Sequence, residues 1–313
     1  MDTVIAVNRL RRAYGDVHAV RDVTFSVARG EIFGLLGPNG AGKTTTVECL
    51  QGLRARDGGA VEVLGLDPAR NPDRLRRRIG AQLQSAALPD RLRVVEAVRL
   101  FARLQPRPVD VDRVLEDWDL ARLRRRAFAT LSGGQRQRLF LALALLGDPE
   151  VVFLDELTAA LDPAARRATW ELVRRVRDRG ATVVLVTHFM EEAHGLCDRV
   201  AIIDAGRVVA LDSPAALIVR SGDGVRVTFS ASGHDLGLLA KLPDVTAVTS
   251  HNGHVAVDGG PAAPVHIAAA LAGRGMVPDD YRTHHHTLED VFLTLEDVFL
   301  ALTGRSLTRE VSP

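Results

Sequence analysis

The stretch EIFGLLGPNGAGKTT, residues 31–45, decides how this chain is read. Glu31-Ile-Phe-Gly-Leu-Leu36 has the continuous apolar character of a strand buried on both faces. It runs directly into Gly37, Pro38, Asn39, Gly40, Ala41, Gly42, Lys43, Thr44 and Thr45, which fit the pattern G-x-x-x-x-G-K-[ST]. The glycines let the backbone fold tightly, so that amide N–H groups and a helix N-terminus point at a polyphosphate. Lys43 is then placed to reach the terminal phosphates and the Thr44 hydroxyl to hold magnesium. Nucleoside-triphosphate binding is the expectation. Lys43 and Lys241 are the chain's two lysines among 40 basic residues. A lysine kept in so arginine-rich a background points to a point-charge role.

Composition sets the bounds. The 313 residues, 46% hydrophobic and 25% charged, predict a soluble globular protein of about two domains with a substantial core. A net charge of +1 argues against a dedicated nucleic-acid binder, and no nucleic-acid partner is expected. The longest apolar run, LFLALALL at 139–146, falls far short of the roughly 20 residues a membrane helix needs. The charged N-terminus has no signal-peptide core, so a cytoplasmic chain is expected. Cys49 and Cys197 are isolated and lack metal-ligand spacing, which reads as two free buried thiols.

Two further segments add chemistry. VVFLDE at 151–156 reads as a buried parallel strand ending in two carboxylates, at the kind of strand end where such sheets bind ligands. Asp155 is the candidate magnesium ligand, through water, and Glu156 the candidate general base for an attacking water. LSGGQRQR at 131–138 is a turn opening a helix, and the first amides after Ser132, Gly133, Gly134 and Gln135 form a second candidate phosphate site.

These three motifs, in this order, resemble the nucleotide-binding subunit of an ATP-binding cassette (ABC) transporter over residues 4–213. The resemblance implies an α/β P-loop NTPase fold, a RecA-like core with a helical subdomain at about 88–130, within a domain of residues 1–220. It implies ATP and Mg2+ as ligands. It also assigns further residues. Tyr14, 29 residues before Lys43, matches the aromatic that stacks on adenine. Gln84 matches the glutamine that touches magnesium and water and senses a membrane partner, with Gln82 as its rival. His188, after the apolar run TVVLVT, matches the switch histidine that contacts the γ-phosphate and orients the base. Asp162 matches the loop that crosses between subunits. The chain departs from the pattern at Leu157, where proline is usual, and at Ala160, where glycine is usual; neither change removes a chemical group. In such proteins each ATP is sandwiched between the P-loop of one copy and Ser132 and Gly134 of another, so a second copy of the chain is an implied partner.

Beyond the SGDG linker at 221–224, composition changes, and a small α+β accessory domain is expected over 221–313. Strands near 225–229, 245–250, 254–257 and 277–282, with helices near 235–241 and 264–273, give the ferredoxin-like order βαββαβ. A terminal helix carries a perfect tandem repeat, TLEDVFL-TLEDVFL, at 287–300. Seven residues are nearly two turns, so both copies present almost one apolar face. The extra copy lengthens the helix by roughly 10 Å. It either packs on its own domain or extends a contact with a partner. HHH at 284–286 reads as an exposed loop, and the arginine runs at 74–78 and 122–126 read as solvated faces, with contact to a membrane subunit or lipid headgroups as the alternative. The ending TLEDVFLALTGR is similar to the daunorubicin-resistance group of ABC ATPases. That implies ATP-driven export of a drug or hydrophobic natural product through a separate integral membrane permease, with this chain peripheral on the cytoplasmic face of the membrane. The alternative is a soluble ABC ATPase acting on the ribosome or nucleic acid. Such members usually carry two cassettes or long coiled coils, whereas Lys43 and Ser132 are only 89 residues apart and no second cassette follows.

Overall fold

The computed structural model describes residues 2–82, 87–158, 161–220, 225–231, 237–251 and 253–285. The chain divides into two compact units, Met1–Ser213 and Pro214–Pro313.

The first unit is built on a nine-stranded sheet. Its strands are β1 (Thr3–Tyr14), β2 (Val17–Ala28), β3 (Ile32–Leu36), β4 (Gly58–Val63), β5 (Ile79–Gln82), β6 (Val151–Asp155), β7 (Thr182–Thr187), β8 (Arg199–Asp204) and β9 (Arg207–Asp212), in spatial order 4-1-2-9-8-3-7-6-5. From β8 across to β5 every neighbouring pair is parallel, and β1, β2 and β4 pair antiparallel. Every residue of β3, β6 and β7 is buried, as parallel strands covered on both faces require.

Register fixes what these strands present. Leu36 lies beside Thr187, Asp155 beside Val186 and Gln82 beside Leu154, so the carboxyl ends of β3, β5, β6 and β7 align along one edge. The chain leaves that edge into residues 37–42, Glu156 and His188. Helices α1 (Lys43–Leu50), α2 (Pro72–Arg76), α3 (Val94–Ala102), α4 (Val111–Asp117), α5 (Gly133–Ala144), α6 (Pro163–Asp178) and α7 (Met190–Leu196) connect the strands. The arginine-rich segment after residue 88 folds as α3, α4 and two single 3-10 turns, Ala121–Leu123 and Phe128–Thr130. A core of fully buried Ile5, Leu10, Phe33, Leu35, Leu50 and Phe153 holds the sheet to its cover.

The second unit opens with α8 (Pro214–Arg220), so the break comes at Ser213 and not at the expected residue 220. Its strands are β10 (Val225–Ser230), β11 (Val245–His251), β12 (His254–Gly259) and β13 (Arg282–His285), in order 11-12-10-13 with all neighbours antiparallel. One helix, α9 (Ala263–Ala272), packs through Ile267 and Leu271 on Val227, Phe229, Val255 and Val257. Two sequence expectations are corrected here. The last strand among the described residues is Arg282–His285, not 277–282, and it takes in His284 and His285; Val277, 82% exposed, lies before it. Of the helix expected at 235–241, the described residues form a single 3-10 turn, Leu239–Lys241. The tandem heptad lies outside the described residues.

Candidate functional site

The turn between β3 and α1 is shaped by glycine. Gly37 has φ 149°, and a Cβ there would lie 2.0 Å from the Ile203 carbonyl oxygen. Gly42, φ 100°, caps α1, and a Cβ there would lie 2.2 Å from the Ala19 carbonyl oxygen. Both positions exclude a side chain, so the backbone itself lines the turn. Lys43, 5% exposed, donates from Nζ to the carbonyls of Gly37 (2.7 Å) and Pro38 (2.9 Å). Burial lowers its pKa, and the negative charges of Glu156 and Asp155 pull it back up.

Asp155 closes β6 and is buried, with Oδ1 lacking any hydrogen-bond partner. Burial and the neighbouring Glu156 raise its pKa to about 6, while Lys43 and a hydrogen bond from Thr44 oppose the rise. A buried, unpaired carboxylate oxygen beside a threonine hydroxyl is a donor set suited to a hard divalent cation. Glu156 follows in the left-handed region, φ 48°, with its N–H donating to Val186 O at 2.9 Å. Its Oε1 lies 3.2 Å from His188 Nδ1, so the ends of β6 and β7 bring these two side chains into contact. The Phe189 ring lies 4.1 Å from that of His188 and is covered on its own account by the Arg166 guanidinium at 5.0 Å.

Other sequence candidates have contacts of their own. Ser132 and Gln135 form a reciprocal cap on α5: Ser132 N–H donates to Gln135 Oε1 (3.1 Å) and Gln135 N–H to Ser132 Oγ (3.4 Å). Ser132 and Gly133 are exposed, and a Cβ on Gly133 would lie 3.3 Å from Leu161. Asp162 caps α6, accepting from the N–H groups of Ala164 (3.0 Å) and Ala165 (2.9 Å). Tyr14 ends β1 half exposed, with the guanidiniums of Arg12 and Arg54 at 4.9 and 5.2 Å from its ring centre. Gln82 accepts from Gln137 Nε2 at 2.9 Å, which links β5 to α5; Gln84 and Ala160 lie outside the described residues.

The profile of the ABC transporter family matches residues 20–159. The daunorubicin resistance ATP-binding protein DrrA3 of Streptomyces coeruleorubidus is 38% identical over 306 residues, covering 93% of this chain and 95% of that protein. The chain belongs to the ABC transporter ATP-binding family. A Nod factor export ATP-binding protein I from Cupriavidus pinatubonensis is 37% identical over 98% of this chain and 93% of its own length. Among solved structures, an ATP-binding subunit of an ABC transporter superposes with TM-score 0.63 at 30% identity, covering 70% of this chain and 93% of that one. CbiO1 from Clostridium perfringens superposes with TM-score 0.62 at 27% identity over 70% and 92%.

As an ABC ATPase, the chain binds and hydrolyses ATP as the ATP-binding subunit of a transporter. Among its described residues, no helix is long and apolar enough to cross a membrane. The structure also supplies contacts absent from the motif reading. Thr158 Oγ1 donates to Glu192 Oε1 at 3.0 Å in the buried interior, and neither residue belongs to the motifs quoted above. Arg54 at Tyr14, and Gln137 at Gln82, were likewise not legible, because nothing in sequence spacing announces a partner 40 or more residues away.

Proposed function

We propose that this subunit hydrolyses ATP to drive export of a drug or hydrophobic natural product through a separate integral membrane permease, working as an ATP-sandwiched pair on the cytoplasmic face of the membrane. The observation that carries the catalytic half is the convergence of Lys43, Asp155, Glu156 and His188 at one sheet edge, with Asp155 Oδ1 buried and unpaired. The export half is supported by relatives whose names record daunorubicin resistance and Nod factor export and whose similarity runs through the second unit as well as the first.

In this reading the amides of residues 37–45 cradle the phosphates, and Lys43 stabilises charge on the terminal ones. Thr44 and Gln84, with Asp155 through water, would hold magnesium, which when bound would neutralise negative charge on the phosphates. Glu156 accepts a proton from the attacking water, an effect typically worth roughly 10²–10⁴ in rate. His188, with Nδ1 against Glu156 Oε1, orients that carboxylate and contacts the γ-phosphate. Tyr14 stacks on adenine. Ser132, Gly133, Gly134 and Gln135 from the second copy close the site over the γ-phosphate. Their own mutual cap leaves the exposed turn preformed for that role. Asp162 holds the start of α6 at the same subunit contact.

The test uses Glu156→Gln. This variant is expected to bind ATP, to lose turnover by two or more orders of magnitude, and to sediment as a dimer when ATP is saturating. Tagged E156Q purified from detergent-treated membranes with ATP is expected to retain a multi-span membrane protein, identified by mass spectrometry. Ribosomal proteins or nucleic acid in its place would defeat the export reading, and a monomer at saturating ATP would defeat the sandwich.

A further inference from the structure

Glu156 and His188 follow directly on the ends of β6 and β7, and their side chains meet just beyond those ends. Glu156 is pinned behind by its N–H bond to Val186 O, and two residues ahead by Thr158. Thr158 is wholly buried, and its hydroxyl donates to Glu192 Oε1 at 3.0 Å. Glu192 is itself wholly buried, in the first turn of α7, four residues beyond His188. The two segments 156–158 and 188–192 are thus joined twice, by Glu156–His188 at the outer end and by Thr158–Glu192 at the inner end.

The inner rung is well braced. Phe189 N–H donates to Thr187 Oγ1 at 3.0 Å, holding the turn in which His188 sits. Helix α7 lies against α6 so closely that a Cβ on Gly195 would come 3.0 Å from the Trp170 ring, and Arg166 of α6 reaches Glu191 at 3.5 Å. Burial raises the Glu192 pKa, and the side chains of Thr187, Thr158 and Trp170 oppose that rise by favouring the charged form. A carboxyl group removed from water is held by its hydrogen bonds, and losing the Thr158 hydroxyl leaves Glu192 Oε1 without that donor.

We propose that Glu192, acting through Thr158, is a positioning residue that sets the Glu156–His188 contact. It rests on the catalytic reading of Glu156 given above. Both residues are wholly buried and offer no surface to a nucleotide, so their role falls on the chemical step. A displacement of about 1 Å at a reacting group is worth up to roughly 100-fold in rate. Substrate affinity has no reason to follow.

The test is steady-state ATPase kinetics of the full chain. Thr158→Val, nearly isosteric, is expected to lower kcat roughly 10-fold with KM for ATP within about two-fold. Thr158→Ser, which restores the donor, is expected to return kcat to within about three-fold of the parent. Glu192→Gln keeps the accepting oxygen and is expected to match Thr158→Ser; Glu192→Asp, one methylene short, is expected to match Thr158→Val. The imidazole NMR signal of His188 should move in T158V and E192D and stay in place in T158S. If T158V does not fold, E192D carries the same comparison. Parental kcat in either breaking variant, a loss shared equally by kcat and KM, or failure of serine to rescue would overturn the proposal. Inactive E156Q alongside fully active T158V would remove the positioning role alone, whereas active E156Q would remove the catalytic reading itself.

Discussion

Gly37→Ala should damage the protein far more than Gly40→Ala, although both sit in the same turn. At Gly40, φ is 80° and a Cβ would meet nothing within 4 Å, so alanine there costs backbone strain alone, about 1–2 kcal/mol. At Gly37 the Cβ would lie 2.0 Å from Ile203 O, against roughly 3.3–3.6 Å for an ordinary carbon–oxygen contact. Relief requires Gly37 and β8 to part by more than about 1 Å. The neighbouring pair Leu36–Ile202 is in register in the parallel ladder and resists that movement. Adding such a shift to a backbone conformation that only glycine adopts freely gives about 3–5 kcal/mol in all. At roughly 2–4 °C per kcal/mol for a unit of this size, Gly37→Ala should lower Tm by about 6–20 °C and Gly40→Ala by about 2–8 °C. Thermal unfolding without nucleotide measures both, and ATP titration should show the larger loss of affinity in the first. Equal shifts for the two variants would refute the steric argument and leave chain flexibility as the cause.

Asp67 is a separate case, since its carboxylate accepts from both terminal guanidinium nitrogens of Arg56 at 2.7 and 2.8 Å and from the Ala69 N–H at 2.9 Å. The Arg56 hydrogen bonds hold its pKa at about 2 against 3.8 for a free aspartate. The folded-state pKa is depressed, so the stabilisation is fully present above pH 4 and is lost as pH falls from about 4 towards 2. Allowing for partial exposure of the pair, Asp67→Asn should cost about 1–2 kcal/mol at pH 7 and progressively less below pH 4; a difference from the parent that stays constant across urea unfolding from pH 7 to pH 3 would contradict this. Leu157→Pro restores the residue usual in the family, and it should change ATP turnover only a few-fold, because Leu157 is buried packing and carries no reacting group. A rise of orders of magnitude in an ATPase assay would mean that Leu157 holds the wild-type chain back.

Burial explains what was legible in the sequence. The runs at 32–36, 151–155 and 182–187 are continuous, bounded and apolar because both faces of those strands are covered, and the site lies where the apolar character stops. Strand β13 carries no such signal. RTHH has no apolar alternation and owes its place to backbone pairing with β10, so the local pattern favours Val277 instead, which the fold leaves in solvent. The spacing around Leu239–Lys241 predicts a helix where the chain makes a 3-10 turn, because a turn and the end of a helix share the same local apolar spacing. Thr158 and Glu192 are polar and 34 residues apart, and each by itself looks like a surface residue. Only the fold makes them neighbours.

Glu156 occupies a backbone conformation, φ 48°, that costs a side chain with a Cβ roughly 1–2 kcal/mol and that glycine adopts freely and asparagine tolerates. Replacing it by either residue should therefore make the folded chain sturdier while stripping the carboxylate from the end of β6. A selection that rewards yield or heat resistance alone will drift towards those replacements. Such a selection would return well-behaved protein with no turnover, and any stability engineering of this chain has to be scored on ATP consumption from its first round.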